Sequence, residues 1–213
     1  MMKKIVTFTL IMLCSFALMA QNSKAHKDIK TVIKKLEKHT YQSDFTLDYY
    51  SAADNTHAPR SGVFCIQQSA FSFLMGGIQT LYDGKTQWVY MAENNEVTVS
   101  EPDAEELMQS SPWEMIQSYF KTHRVAYGDP ISNQVTMYYF YPPKEDKDEV
   151  EYFRIELDVI NDSHLPNRLI IFQKNGDKIR FDWENLQKVD TKNLKEFQFD
   201  VSHYPNVEWN DMR

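Results

Sequence analysis

Short stretches in which apolar and polar residues alternate recur along this chain. They are closed by turns so tight that each stretch must fold back on the last. Ile78–Tyr82 and Thr86–Met91 flank Asp83-Gly84, a hairpin turn in which glycine supplies positive φ at little steric cost. Asn175-Gly176 does the same between 167–174 and 177–184, and Asn94-Asn95 turns the chain into Glu96–Ser100. Asp44–Ser51 alternates Phe45, Leu47 and Tyr49 with Thr46, Asp48 and Tyr50, and further strands are expected over 61–68, 70–75, 123–127, 134–141, 150–160 and 194–201. A chain punctuated in this way has little choice but an antiparallel sheet of about 11 strands, and a sheet that large must curl to shelter its edges.

The period lengthens to 3.6 in two places. Ile29, Val32, Ile33 and Leu36 form the apolar stripe of a helix ending near His39-Thr40, with lysines on its other face. Between Pro102 and Thr122, a short helix over 103–109 precedes a second one opened by Ser111-Pro112-Trp113-Glu114, a capping box with proline in the first turn. Trp113, Ile116 and Phe120 would form the apolar face of that second helix, with Met115 and Tyr119 beside it. The pattern predicts a mainly β protein with helices (α+β): an unclosed antiparallel β-barrel or strongly curved sheet, its open face covered by helices.

Residues 1–20 read as a secretory signal peptide: Lys3-Lys4, the apolar run Ile5–Met19, a small residue at Ala20, then polar Gln21-Asn22-Ser23. Ala25 offers a second cleavage point. Leu13 precedes Cys14 where a lipidation motif wants a small residue, so lipidation is not expected. Residues 21–213 show no linker or repeat and are read as a single exported domain in which Cys65 has no disulfide partner. Its apolar setting, Val63-Phe64-Cys65-Ile66, makes it a buried thiol rather than a nucleophile.

Several chemistries lack their signatures. A net charge of −7 without a basic block argues against nucleic acid as a partner. The six histidines are scattered, with no HExxH, and there is no GxSxG or phosphate-binding loop, so neither a metal, a cofactor nor catalysis is expected. The charged loop 144–149 lacks calcium-loop spacing and reads as solvated. What stands out instead is that 14% of residues are aromatic, and that Trp88-Val89-Tyr90-Met91 and Met137–Tyr141 are apolar on both strand faces. One face could pack beneath the helices and the other against an apolar ligand; a thick ordinary core serves the pattern equally well.

The hairpin Leu81-Tyr82-Asp83-Gly84-Lys85-Thr86-Gln87-Trp88-Val89-Tyr90, with Val97-Thr98-Val99 after it, resembles the signature hairpin of the LolA-type outer-membrane lipoprotein carriers. The order of leader, amphipathic helix, Ser111-Pro112-Trp113 helix and late Phe197-Gln198-Phe199-Asp200 strand is similar too. This resemblance implies a helical lid over a hydrophobic cavity in a soluble periplasmic carrier with no cofactor. Such a carrier shields lipoprotein acyl chains between an inner-membrane ABC transporter and an outer-membrane acceptor, with only transient membrane contact. By position, the resemblance nominates Phe71, Phe73, Trp88, Tyr90, Leu107, Met108, Trp113, Ile116 and Phe120 as cavity lining, each of which plain core packing would also explain. The family's Arg-Pro-x-x-Phe entry to the third strand, whose arginine is associated with lid closure, is here Gln67-Gln68-Ser69-Ala70-Phe71. A different handover partner, or a lipid- or lipoprotein-sensing regulatory module on the same scaffold, is therefore the alternative.

Overall fold

The computed structural model describes residues 22–213; the leader proposed over 1–20 lies outside them. Helix α1 occupies residues 22–38. It is followed by β1 (Thr40–Ser51), β2 (Thr56–Gln67), β3 (Ala70–Met75), β4 (Ile78–Tyr82), β5 (Gln87–Met91) and β6 (Glu96–Ser100). Helices α2 (Ala104–Ser110) and α3 (Pro112–Thr122) interrupt the strands, which resume as β7 (Arg124–Tyr127), β8 (Val135–Tyr141), β9 (Tyr152–Ile160), β10 (Leu165–Gln173), β11 (Lys178–Val189) and β12 (Glu208–Asp211). All twelve strands form one sheet in the order β12-β6-β5-β4-β3-β2-β1-β11-β10-β9-β8-β7. The two end strands do not pair, so the sheet stays open. It consists of two meanders joined where β1 pairs antiparallel with β11.

The expected hairpin turns form. Gly84 sits at φ 100° and Gly176 at φ 95°, and the Asp83 carboxylate ties its turn by accepting the amides of Lys85 at 3.0 Å and Thr86 at 2.9 Å. A further glycine is required by close approach rather than by φ. Gly62 lies opposite Phe45, and a Cβ there would fall 2.5 Å from the Phe45 ring and 2.2 Å from the Leu74 carbonyl oxygen. That gap lets Phe45 lie flat across β2 and stack on Phe73 at 4.5 Å and Phe181 at 4.7 Å.

The inner face of the sheet carries the main core. Tyr41, Phe45, Phe64, Ile66, Phe71, Ile155, Leu157, Phe181 and Trp183 pack there against Ile29, Val32 and Leu36 of α1 and Trp113 and Ile116 of α3. Helix α1 is anchored by more than its apolar stripe. Asp28 accepts the hydroxyls of Tyr127 at 2.6 Å and Tyr138 at 3.3 Å, and burial together with that carboxylate pushes both phenols up, holding them protonated. Asp103 caps α2 in a full capping box with Glu106. Ser111 caps α3 by accepting only the Glu114 amide, so the reciprocal half of the box expected there is missing.

The strand expected over 194–201 does not form. Leu194–Phe197 and Val201–His203 are short 3-10 turns. Asn193 accepts the Lys195 amide while Glu196 reaches back to Asn193, and Asp200 accepts the Ser202 amide, so side chains satisfy the backbone locally where a ladder would otherwise have done so. The segment crosses the outer face of the sheet and ends as β12, which pairs parallel with β6. Gln67, in the stretch that departs from the carriers' arginine motif, pins it by donating to the Lys192 carbonyl at 3.0 Å and accepting the Lys192 amide at 2.8 Å.

Candidate functional site

Strand alternation decides which side chains reach the space between the sheet and α2–α3. On β1, β3, β10 and β11 the inward positions are Leu47, Phe73 and Met75, Leu169 and Ile171, and Ile179 and Phe181; from above come Met108, Ser110, Pro112 and Met115. Together they enclose a cavity of about 380 Å³, a volume in the range of small-ligand sites. Among the described residues, Ser110 is its one hydroxyl-bearing wall residue and no ionisable side chain lines it. Three wall residues are methionines, whose unbranched thioethers re-pack around irregular apolar shapes. The chemistry available is burial of hydrocarbon without directional recognition.

The structure brings Phe73 and Met108 of the nine nominated residues to this wall. Phe71, Trp113 and Ile116 are fully buried in the core. Leu107 lines a neighbouring crevice between α2 and α3, and Phe120 stacks on His26 at 4.1 Å, tying α3 to α1. Trp88 and Tyr90 face outward. They form a second cluster with Leu81, Val97, Val99 and Phe199, covered by Tyr204 and Val207 of the C-terminal segment. The second apolar face of β5 is thus met by the chain's own terminus. Leu47, Met75, Met115, Leu169, Ile171, Ile179 and Phe181 were not nominated. Period-two alternation marks the strand members of that set as inward-facing, but only the position of α2–α3 separates cavity wall from core.

Polar groups lie around the cavity. Glu114 lines the crevice between α2 and α3; among the described residues its Oε1 has no hydrogen-bond partner, and burial pushes its carboxyl up against the opposing pull of Lys121. His123 caps the other end of α3 and hydrogen-bonds Thr122 and the Tyr152 hydroxyl, both at 2.8 Å; burial lowers it to about 4. Cys65 packs against Ala70 and Phe197 on the outer face, and burial raises its thiol. Among the described residues, no three His, Cys, Asp or Glu side chains converge as a metal site, and no helix is long and apolar enough to cross a membrane.

The shape of the molecule is shared. An uncharacterised conserved protein from Thermus thermophilus superposes with a TM-score of 0.58 at 8% identity, over 87% of this chain and 98% of that one. A LolA superfamily protein from Nitrosomonas europaea (TM-score 0.45, 10% identity, 81% and 98% coverage) also matches. So does a lipoprotein-sorting protein domain described as outer-membrane from Vibrio parahaemolyticus (TM-score 0.45, 10% identity, 83% and 97% coverage). Comparison with curated protein sequences gives no match. The sequence profile of the outer membrane lipoprotein carrier protein LolA family matches residues 15–147, which hold α1, the Asp83-Gly84 hairpin and both lid helices. An open antiparallel sheet, a helical lid and that match together place this divergent chain in the LolA family of outer membrane lipoprotein carrier proteins.

Proposed function

We propose that the protein is a periplasmic carrier that shelters the acyl chains of lipoproteins in the cavity beneath α2–α3 and passes them toward the outer membrane. The observation that carries the reading is the wall itself, hydrocarbon and thioether apart from Ser110, in a member of the LolA family. Sheltering about ten methylenes is worth roughly 8 kcal/mol, enough to keep an acyl chain out of water without a charged contact. Phe73 and Met108 touch the chain together with Met115, Ile179 and Phe181, while Phe71, Trp113 and Ile116 back the wall. An inner-membrane ABC transporter loads the carrier and an outer-membrane acceptor unloads it; no catalysis or cofactor enters. The absence of the family's Arg-Pro entry leaves lid closure to the packing of α2 and α3.

Organic extraction of the purified native protein followed by mass spectrometry should recover acyl lipid or lipopeptide. Placing a carboxylate in the wall with Ile179→Glu should abolish that recovery and weaken binding of a fluorescent fatty acid at least tenfold. Depletion in the source cell that leaves lipoproteins correctly sorted would eliminate the transfer step while leaving lipid binding standing.

A further inference from the structure

Strand β2 is twelve residues long, but β3 covers only its second half, from Gly62 to Gln67. The turn between β2 and β3 has two residues, which makes Gln67 and Ala70 a hydrogen-bonded pair and turns the N–H and C=O of every odd-numbered β2 residue toward β3. Beyond Val63 those groups belong to Ser61, Pro59 and His57, and among the described residues they face no strand. Thr56–Ser61 are accordingly exposed, while β1 continues to pair with them on the other side. Pro59 fits this geometry, since proline in a ladder keeps its donorless nitrogen on the unpaired side. The open edge offers the amides of His57 and Ser61 and the carbonyls of His57, Pro59 and Ser61.

This edge begins where the cavity wall ends. Met75, the last residue of β3, pairs with Gly62, and Leu47 pairs with Arg60; both Met75 and Leu47 line the cavity. Resting on the carrier reading above, we infer that the open edge of β2 over His57–Ser61 receives the polypeptide of the cargo as an added antiparallel strand. The occupant is the extended segment that directly follows the acylated residue. A chain whose acyl group sits beside Met75 can run on in the line of β3 for about five residues, roughly 17 Å, before leaving the edge. Backbone hydrogen bonds read no side chains, so one edge serves cargoes of different sequence. A second copy of the protein is a poorer occupant: antiparallel pairing of two such edges would set two donorless Pro59 residues against each other.

The test uses the intact protein and three probes: palmitate, an N-palmitoylated ten-residue peptide of serine, asparagine and alanine, and the same lipopeptide N-methylated at alternate residues. Calorimetry should show the unmodified lipopeptide binding about tenfold more tightly than its N-methylated form, the difference two hydrogen bonds supply. Hydrogen exchange at His57 and Ser61 should slow with that lipopeptide and not with palmitate. Equal binding of the two lipopeptides with no protection of the edge would overturn the inference and leave acyl binding intact. Failure of all three probes to bind would remove the carrier reading itself. Protection that instead rises with protein concentration alone would assign the edge to self-association and overturn the inference.

Discussion

Phe45 and Gly62 show how narrow the tolerance is at single positions. A methyl at position 62 would meet backbone as well as the Phe45 ring, at 2.2 and 2.5 Å, and the backbone contact cannot be relieved by rotamer change. Gly62→Ala should cost about 3 kcal/mol or more, seen as a lower urea midpoint with an unchanged m-value. His123 carries the clearest pH dependence. Tyr119 of α3 and Tyr152 of β9 pack against it, and only the more distant Asp146 favours its charged form. Its folded value, about 4, lies below the ordinary histidine range, so the unfolded chain binds the extra proton first. Stability should therefore be full above about pH 6.5 and fall as pH drops through about 4, by up to about 3 kcal/mol. His123→Phe should flatten that part of a pH–stability curve; an unchanged slope would refute the assignment.

Helices α2 and α3 form the helical half of the cavity as separate short elements, each with its own cap, so capping and charge should govern their stability. Burial disfavours the charged form of the Glu114 carboxyl and raises it, with Lys121 pulling the other way. Its raised value means that stability is lost by ionisation as pH rises and regained as pH falls through it. Glu114→Gln should stabilise the protein at pH 7 by up to about 1 kcal/mol and slow exchange of the α3 amides, with no such gain at pH 4. The C-terminal segment is a second cover, on the opposite face. Phe199 stacks on Tyr204 at 4.3 Å and lies 5.4 Å from Tyr90. Phe199→Ala should cost about 3 kcal/mol in thermal or urea unfolding and increase binding of a hydrophobic dye to the outer face, while lipid recovery from the cavity stays intact.

At the scale of the whole molecule, one sheet has two apolar faces and the chain closes them differently. The outer face of β4–β6 is covered by residues joined to the same chain, close-packed by ring on ring. The inner face of β1, β3, β10 and β11 is covered by α2–α3, which leave a cavity of about 380 Å³. Four of the ten methionines lie in residues 1–20, and of the remainder Met75, Met108 and Met115 all reach the cavity wall.

Much of this architecture follows from sequence alone. Turn chemistry at Asp83-Gly84 and Asn175-Gly176, period-two alternation and two 3.6-period interruptions specify an antiparallel sheet with helices over it, because these signals act between residues a few positions apart. The path of residues 190–213 is not legible in that way. Phe197-Gln198-Phe199 alternates like a strand, and the local caps at Asn193 and Asp200 override the alternation. Trp88 and Phe73 are both aromatic residues on strands separated only by β4; one lies beneath the C-terminal segment and the other opens onto the cavity. Strand alternation determines which face a side chain takes. What covers that face is decided by contacts between residues as far apart as Gln67 and Lys192, and these exist only once the chain has folded.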